Sequence, residues 1–591
     1  MTGVQTCALP ISAKFGGFND INGDNTPQTN EWDADGDGVP DTYFLVVNPL
    51  KLLAQLNNAF SKIQDTAGTA AAATANSFTL QSDTEIFLGR FNSDGWSGEL
   101  LAYPVTANSI ADPVWQAQIK LANQSPSART ILTYDPDQTG TSKGIPFRWN
   151  SMTSSGTTTL RSSLNRTSSG TADTLGSDRV TFLRGDDVSG MRTRPRVTVT
   201  TITGSCSGTY TCPTGGGTAV CTGGGSVTCT PTTLPNRLGD IINSQSQYVA
   251  RPNAGYGDSS YDQFSSNYHA TNNPNGMGDR AAVLYVGAND GMLHGFNAAT
   301  GEEVLAYVPG EMYRLRGGRW ILNKLTEADY GKQNSSNGHR YYVDGTPTIG
   351  DICTTNDVGL CPDGNWRSLL VGSLGGGGQG IYALDVTNPS NFSETNASSI
   401  VKWEFTDKSD SDLGYTIGRP YIVRLCTHRL TDNSCERWSW FVMFNNGYNN
   451  TEADGYASST GDAALFILDA NTGGSSGQKK ILVKEGDTST SGPNGLSEIA
   501  PIDIDGDGVV DYVYAGDLKG NLWRFDLMSD NPNNWGISLG STANPSPVYV
   551  AKDEQTTPAR QPITAAPDAI LHPNGGVLVT FGTGSYVFKN D

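Results

Sequence analysis

The sequence predicts a mainly β protein organised around a β-propeller, and three observations carry that expectation. Of 591 residues, 70 are glycine and only 17% are charged. With abundant Thr, Ser, Asn, Tyr and Trp and few long amphipathic runs, that is the composition of many short strands joined by turns. From Leu238 onward a loose repeat recurs: an apolar strand, a tight turn, a second strand ending at Asp or Asn, and often a closing Thr-Gly. Finally, an aspartate-rich segment at 503–511 sits between two such strands.

The repeat is clearest when residues 283–297 (VLYVGANDGMLHGFN, followed by Ala298-Ala299-Thr300-Gly301) are set beside residues 512–526 (YVYAGDLKGNLWRFD). Residues 369–385 and 464–473 are weaker copies, and 577–588 begins another. Repeated strand, turn, strand units are the signature of propeller blades, which close radially and so remove long exposed sheet edges. The copies lie further apart than common blades, so loop insertions are expected. The chain stops just after a strand pair, so the propeller assigned to 236–591 is expected to be cut short.

Upstream, residues 1–12 (MTGVQTCALPIS) lack the basic start and apolar stretch of a signal peptide and resemble translated sequencing-adapter read-through. In 13–65 an acidic loop precedes a helix on which Leu52, Leu56, Ala59, Phe60 and Ile63 share one face, with Pro49 where a first turn tolerates it. It reads as the last helix of a domain whose body lies further upstream. An Ala/Thr linker occupies 66–76. Residues 77–194 alternate in short runs such as 85–91 and 98–104, which predicts a β-sandwich-like module. Residues 195–235 form a Cys/Gly/Thr-rich insertion.

Charge and cysteines narrow the function classes. A net charge of −20 argues against a nucleic-acid groove or an anionic membrane surface, both of which need clustered Lys and Arg; it suits calcium or a cationic partner. No stretch approaches the roughly 18 uninterrupted apolar residues of a spanning helix. Cys7 aside, the cysteines form local groups: Cys206, Cys212, Cys221 and Cys229; Cys353 and Cys361; Cys426 and Cys435. Structural zinc usually brings CxxC knuckles, and none occurs, so local disulfides in an oxidising compartment are expected. Spacing leaves the pairing inside the group of four open.

The sharpest motif is Asp503-Ile504-Asp505-Gly506-Asp507-Gly508-Val509-Val510-Asp511. Asp503, Asp505, Asp507 and Asp511, with the Val509 carbonyl, offer hard oxygens at positions 1, 3, 5, 9 and 7, and the glycines permit the sharp turn. That set suits calcium. An EF-hand would need a bidentate Glu at position 12, where Tyr514 stands, so the ligand set is expected inside a β-hairpin; Asp517 lies too far along to be assigned. Asp33, Asp35, Asp37, Val39 and Asp41 repeat the spacing, with Phe44 at position 12 and Asp20, Asn22 and Asp24 just upstream. Without the twelfth-position Glu, affinity is expected near 10⁻⁴ to 10⁻³ M, on the order of extracellular modules.

Other motifs fail on context. Gly140-Thr141-Ser142-Lys143-Gly144 and Gly536-Ile537-Ser538-Leu539-Gly540 fit GxSxG without the strand and helix of a nucleophile elbow. Gly375, Gly377 and Gly380 fit GxGxxG, yet a strand follows where a dinucleotide site needs a helix. The five histidines are scattered without HExxH. Arg184-Gly185-Asp186 spells an integrin-type tripeptide but reads better as a turn with an internal ion pair.

Residues 283–313 (VLYVGANDGMLHGFNAATGEEVLAYVPGEMY) resemble the hallmark segment of PilC-type type IV pilus biogenesis factors and tip adhesins. So do 238–244 (LGDIINS), 342–347 (YVDGTP) and 499–527 (IAPIDIDGDGVVDYVYAGDLKGNLWRFDL), and upstream 96–100 (WSGEL), 147–149 (FRW) and 183–186 (LRGD). The resemblance runs over roughly 30–591. It implies a modified quinoprotein-like propeller, preceded by a β-rich module and, in 13–65, the C-terminal remnant of a von Willebrand factor A-like domain. It implies a non-enzymatic factor exported through the periplasm to the pilus tip or outer surface. Such a factor promotes pilus extension or opposes retraction and mediates adhesion and twitching motility, with minor pilins and a host-cell or abiotic surface receptor as partners. The family's calcium loop maps onto Asp503, Asp505, Asp507, Val509 and Asp511. The four-Cys insertion departs from the family pattern. A quinoprotein dehydrogenase competes, but such enzymes carry a vicinal cysteine ring and repeated Trp-docking segments, and here no two cysteines adjoin. A structural, calcium-stabilised surface protein is the third reading.

Overall fold

In a computed structural model of the chain, the described residues are Gln28, 70–75 and 85–585, less 94, 105–112, 141, 155–158, 209, 211, 213–215, 270–277, 333–337, 475–478, 485–491, 542–543 and 557. The chain divides into two units, 1–69 and 70–591. The helix expected over 50–63, the von Willebrand factor A-like remnant and the loop bearing Asp33, Asp35, Asp37, Val39 and Asp41 lie outside the described residues.

The second unit is mainly β and carries the propeller. Each blade is an antiparallel meander. The first comprises Gln247–Val249, Val283–Ala288, Met292–Asn297 and Glu303–Val308; the second Thr348–Cys353, Trp366–Ser373, Gly380–Asp385 and Val401–Thr406. The third comprises Tyr421–Arg429, Cys435–Asn445, Ala463–Asp469 and Lys479–Val483; the fourth Leu496–Ile502, Tyr512–Asp517, Asn521–Asp526 and Gly536–Ile537. A hairpin of Asp568–Leu571 and Val577–Thr580 packs against Leu496–Ile502 and follows the fourth blade. Middle strands such as Val283–Ala288 and Ala463–Asp469 are buried along their whole length. A sheet packed between two others has no solvated face, which is why these strands read as continuous apolar runs and not as an alternation. Gly375 and Gly377 of the GxGxxG match lie in the turn between Trp366–Ser373 and Gly380–Asp385, and Gly380 opens the second of these strands, in a blade hairpin.

Among the described residues of 77–194, expected as a sandwich-like module, the strands are distributed between two sheets. Ala70–Ala75, Glu85–Asn92, Ser97–Pro104 and Trp115–Gln116 form a four-stranded sheet of their own. Its Phe87, Leu100, Ala102 and Trp115 pack on Leu284, Val286, Ala288 and Phe296 of the first blade. Ile131–Tyr134 instead pairs in parallel with Glu303–Val308, and Gly144–Pro146 pairs with it in turn, extending the first blade to six strands. Ile131 and Leu132 are fully buried there, so the strand gains the burial of two large apolar side chains by joining the blade.

In the insertion, Arg196–Cys206 pairs with Gly225–Pro235, which also carries Gly217–Val220. The eight cysteines pair as Cys206–Cys221, Cys212–Cys229, Cys353–Cys361 and Cys426–Cys435. Among the described residues no helix is long and apolar enough to cross a membrane.

Candidate cation site and the charge networks around it

The acidic segment 503–511 is the turn between the first two strands of the fourth blade, Leu496–Ile502 and Tyr512–Asp517, closed by the pair Ile502 and Tyr512. Its bends need positive φ at Gly506 (+80°) and Gly508 (+81°), a conformation that glycine adopts without steric cost. Aspartates then fold the backbone over themselves. Asp503 accepts from the Gly506 N–H on one oxygen and the Gly508 N–H on the other, both at 2.7 Å. Asp505 accepts from Asp507 N–H at 3.2 Å, Asp507 from Val509 N–H at 2.8 Å, and Asp511 Oδ2 from Ile504 N–H at 2.9 Å. The Val509 side chain is buried and ties the turn to the body.

This wrapping brings Asp503, Asp505 and Asp511 together: each offers a carboxylate oxygen within 4.8 Å of the others, and among the described residues no other group of metal-ligating side chains converges so. Asp507 is not part of that group. Burial, followed by the charges of Asp505 and Asp507, pushes Asp511 up to about 6 against the pull of the Ile504 N–H and Arg429. Burial also raises Asp507, with Asp505 and Asp503 adding to it. Crowded, proton-attracting carboxylates with oxygen as the only donor type are the chemistry a hard divalent cation relieves. The residues present therefore fit calcium.

The third blade clamps the turn. Arg424 Nε donates to the Gly508 carbonyl at 3.0 Å, and the Arg424 carbonyl accepts from Val510 N–H at 3.1 Å. Its guanidinium lies 5.3 Å from the Trp438 ring centre and 5.4 Å from that of Tyr256. Asp517 serves a different purpose. Fully buried, it accepts from Asn494 Nδ2, Asn521 Nδ2 and Trp523 Nε1 and from the Lys519 and Asn521 N–H groups, so it organises the next turn of the same blade.

Sequence reasoning missed two buried charge networks. In the first blade His294, with no exposed surface, holds Glu303 through Nδ1 (2.7 Å) and Asp290 through Nε2 (3.1 Å). Glu303 in turn takes two bonds from Arg129, from Nε at 2.6 Å and Nη2 at 2.8 Å. Arg129 precedes the added strand Ile131–Tyr134, so the network pins that strand to the blade. The second network gathers Arg314 and Arg316 with Glu311, Asp407 and Asp454. A histidine embedded in an apolar strand with Asp290 four residues earlier was the one available signal for the first; in the second, Glu311, Arg314 and Arg316 share one short segment, while Asp407 and Asp454 come from elsewhere in the sequence.

The rejected motifs are also placed. Arg184 of the Arg-Gly-Asp triplet is buried at the end of helix Gly176–Arg184, where it bonds the carbonyls of Phe147, Pro126 and Arg129 and the Glu394 carboxylate. It is unavailable to an outside receptor, and its ion pair reaches Glu394, not the adjacent aspartate. Ser142 donates to the Ser398 carbonyl, and Ser538 lies between the short strands Gly536–Ile537 and Gly540–Ser541; neither occupies a strand-to-helix elbow.

Fold and site together define a β-propeller protein, stapled by disulfides, with a carboxylate-lined blade turn. Residues 238–591 match the PilY1 beta-propeller domain, and the chain belongs to that family. The resemblance to PilC-type pilus biogenesis factors is thereby borne out. The chain is 33% identical over 587 residues to a type IV pilus biogenesis factor PilY1 homolog of Xylella fastidiosa, covering 93% of this chain and 34% of that protein. It is 30% identical over 590 residues to the type IV pilus biogenesis factor PilY1 of Pseudomonas aeruginosa, covering 93% and 42%. The chain thus spans less than half the length of these relatives. The crystal structure of the Pseudomonas aeruginosa PilY1 C-terminal domain aligns with 32% identity and a TM-score of 0.40, covering 58% of this chain and 60% of that one.

Proposed function

We propose that the chain is the propeller-bearing part of a calcium-binding type IV pilus assembly factor that also acts as a tip-associated adhesin. Membership of the family supports the pilus role, since relatives over most of this chain are named type IV pilus biogenesis factors. The observation that carries the calcium reading is the convergence of Asp503, Asp505 and Asp511 in one blade turn. In this reading those three hold the ion, the Val509 carbonyl and Asp507 complete its shell, and Asp33, Asp35, Asp37, Val39 and Asp41 hold a second. Calcium supplies a structural cross-link there, not turnover chemistry. The factor works outside the cell, at the pilus tip or on the outer membrane, an oxidising setting that four disulfides suit. It engages minor pilins, promotes extension or opposes retraction, and meets a host-cell or abiotic surface during adhesion and twitching.

Two measurements on the full chain test this. With affinity near 10⁻⁴ to 10⁻³ M, 10 mM calcium stabilises the fold by roughly 1–3 kcal/mol, and Asp503→Asn with Asp505→Asn removes most of that gain; an unchanged gain in the double variant overturns the site. The same variant, placed in the full-length factor of a strain lacking its own copy, is expected to reduce surface pili, twitching and adhesion. Wild-type piliation, motility and adhesion in a strain without any copy of the factor would overturn the pilus role.

A further inference from the structure

We propose that Arg429 is a tethered cation that competes with the divalent ion for Asp511 and so sets the affinity of the site. This rests on the reading that the turn 503–511 holds such an ion. Arg429 ends the first strand of the third blade, Tyr421–Arg429, inside the hairpin closed by Cys426–Cys435. Three of its four nitrogens are committed to holding it in place. Nε donates to the Met528 carbonyl at 2.6 Å, Nη1 to the Asn433 carbonyl at 2.7 Å, and the backbone N–H to Asp530 Oδ2 at 3.2 Å. Nη2 is the exception. It is buried with no hydrogen-bond partner and lies 3.5 Å from Asp511 Oδ1. The two side chains are 9% and 1% exposed.

A buried guanidinium nitrogen normally finds an acceptor, because leaving it unpaired costs about 1–3 kcal/mol, and more for a charged group. Here it faces a carboxylate oxygen just beyond bonding distance. The other oxygen of Asp511 already accepts from Ile504 N–H, so Oδ1 is the less committed of the two. A positive group aimed at that atom from a fixed hairpin neutralises part of the crowded carboxylate charge when no ion is bound, and repels an ion that arrives. Arg424 offers the contrast: its Nε is spent on the Gly508 carbonyl and its plane lies over aromatic rings, so although it feels the charges of Asp507 and Asp503 it forms no ion pair with a ligand carboxylate.

A unit charge within several ångströms of a divalent ion changes affinity about tenfold even under water-like screening. Calcium titration of the full chain by calorimetry is therefore expected to show Arg429→Gln binding about tenfold more tightly than the parent, and Arg429→Lys, which keeps the charge, remaining within a few-fold of it. Simple structural damage would weaken binding in both, so a gain confined to the neutral variant carries the inference. Should Arg429→Gln lose its fold, Arg429→Met, which preserves the packing of the stem, takes its place with the same expectation. Equal or weaker binding by the folded neutral variant, beside a parent that binds calcium, overturns the role of Arg429 alone; a parent that binds no calcium removes the site and this role together.

Discussion

Removing the Glu303 carboxylate tests whether the first blade depends on its buried charges. In Glu303→Ala, Arg129 loses bonds of 2.6 and 2.8 Å and His294 loses one of 2.7 Å. The Arg129 and Glu303 side chains are each 1% exposed and that of His294 is not exposed at all, so water cannot replace what is lost. Arg129 keeps the Arg184 carbonyl as its remaining strong oxygen acceptor, at 2.7 Å. Hydrogen bonds to charged groups contribute about 1.5–3 kcal/mol each and do not add fully. Breaking a buried pair by deleting one partner costs about 3–5 kcal/mol, which is the expected loss. Urea unfolding of the full chain followed by tryptophan fluorescence reads it out, since Trp115 shares a cluster with Phe296, on which His294 stacks. His294 keeps Asp290 through Nε2, so Arg129 is the cation that the substitution strands. A Glu303→Ala cost below about 1 kcal/mol would show that the network rearranges freely and would refute the reasoning.

Two further outcomes follow from buried groups. Against the downward pull of burial, Asp290 and Glu303 hold His294 up at about 9 from an ordinary 6.5; a folded value above the unfolded one means stability that is complete below about 6.5 and drains as pH rises through 9. Glu404, pushed by burial from 4.5 up to about 8, loses stability in the same direction over its own window. The urea midpoint should fall from pH 6 to pH 9, with His294→Gln flattening the slope above 6.5; a midpoint that rises over this range contradicts the assignment. Asp517→Asn replaces an acceptor facing five N–H donors with a group that carries two donors of its own. It is expected to cost about 2–4 kcal/mol in the same assay, and a change under 0.5 kcal/mol, the ordinary range of a surface substitution, would show that the donors find other partners.

How far the sequence can be read depends on whether the information is local. The blade strands are legible because a sheet buried on both faces imposes continuous apolar runs, and 283–297 and 512–526 show two of them. The acidic turn is legible too, since one continuous segment supplies Asp503, Asp505 and Asp511. Its inner geometry is less so: alternate spacing nominates Asp507 as readily as Asp505, and does not tell that Asp507 lies outside the three carboxylates that converge. What escapes is assembled over long separations. Ile131–Tyr134 joins a strand some 170 residues later in parallel, and no pattern in 77–194 distinguishes that from a sandwich strand. Arg129 meets Glu303 across 174 residues of sequence, and Arg316 meets Asp454 across 138. Arg429 carries no motif at all; its meaning comes from lying across a blade boundary from Asp511.

That boundary belongs to a longer line of contacts, from which a last prediction can be worked through. The turns joining the first two strands of the second and fourth blades both rest on the first two strands of the third blade, whose own turn joins those strands. Val358 bridges to Trp438, Asp357 N–H donates to Ser439 Oγ at 2.8 Å, and Arg424 holds the Gly508 carbonyl. The turns of the second and third blades are closed covalently, by Cys353–Cys361 and Cys426–Cys435; that of the fourth has no covalent closure and carries the acids. A cross-link limits the freedom of the open chain whether it is a covalent bond or an ion gripped by side chains, but only the ion can leave. On the proposed function, chelation should therefore loosen the turn of the fourth blade selectively. Amide hydrogen exchange at Ile504, Gly506, Gly508 and Val509, whose N–H groups rest on the aspartates, is expected to accelerate on adding a chelator while Thr354 and Val358 stay protected. Acceleration in all three turns would mean that the ion supports the blade packing as a whole; no acceleration at 504–509 would mean that the aspartates and Arg429 hold the turn without it.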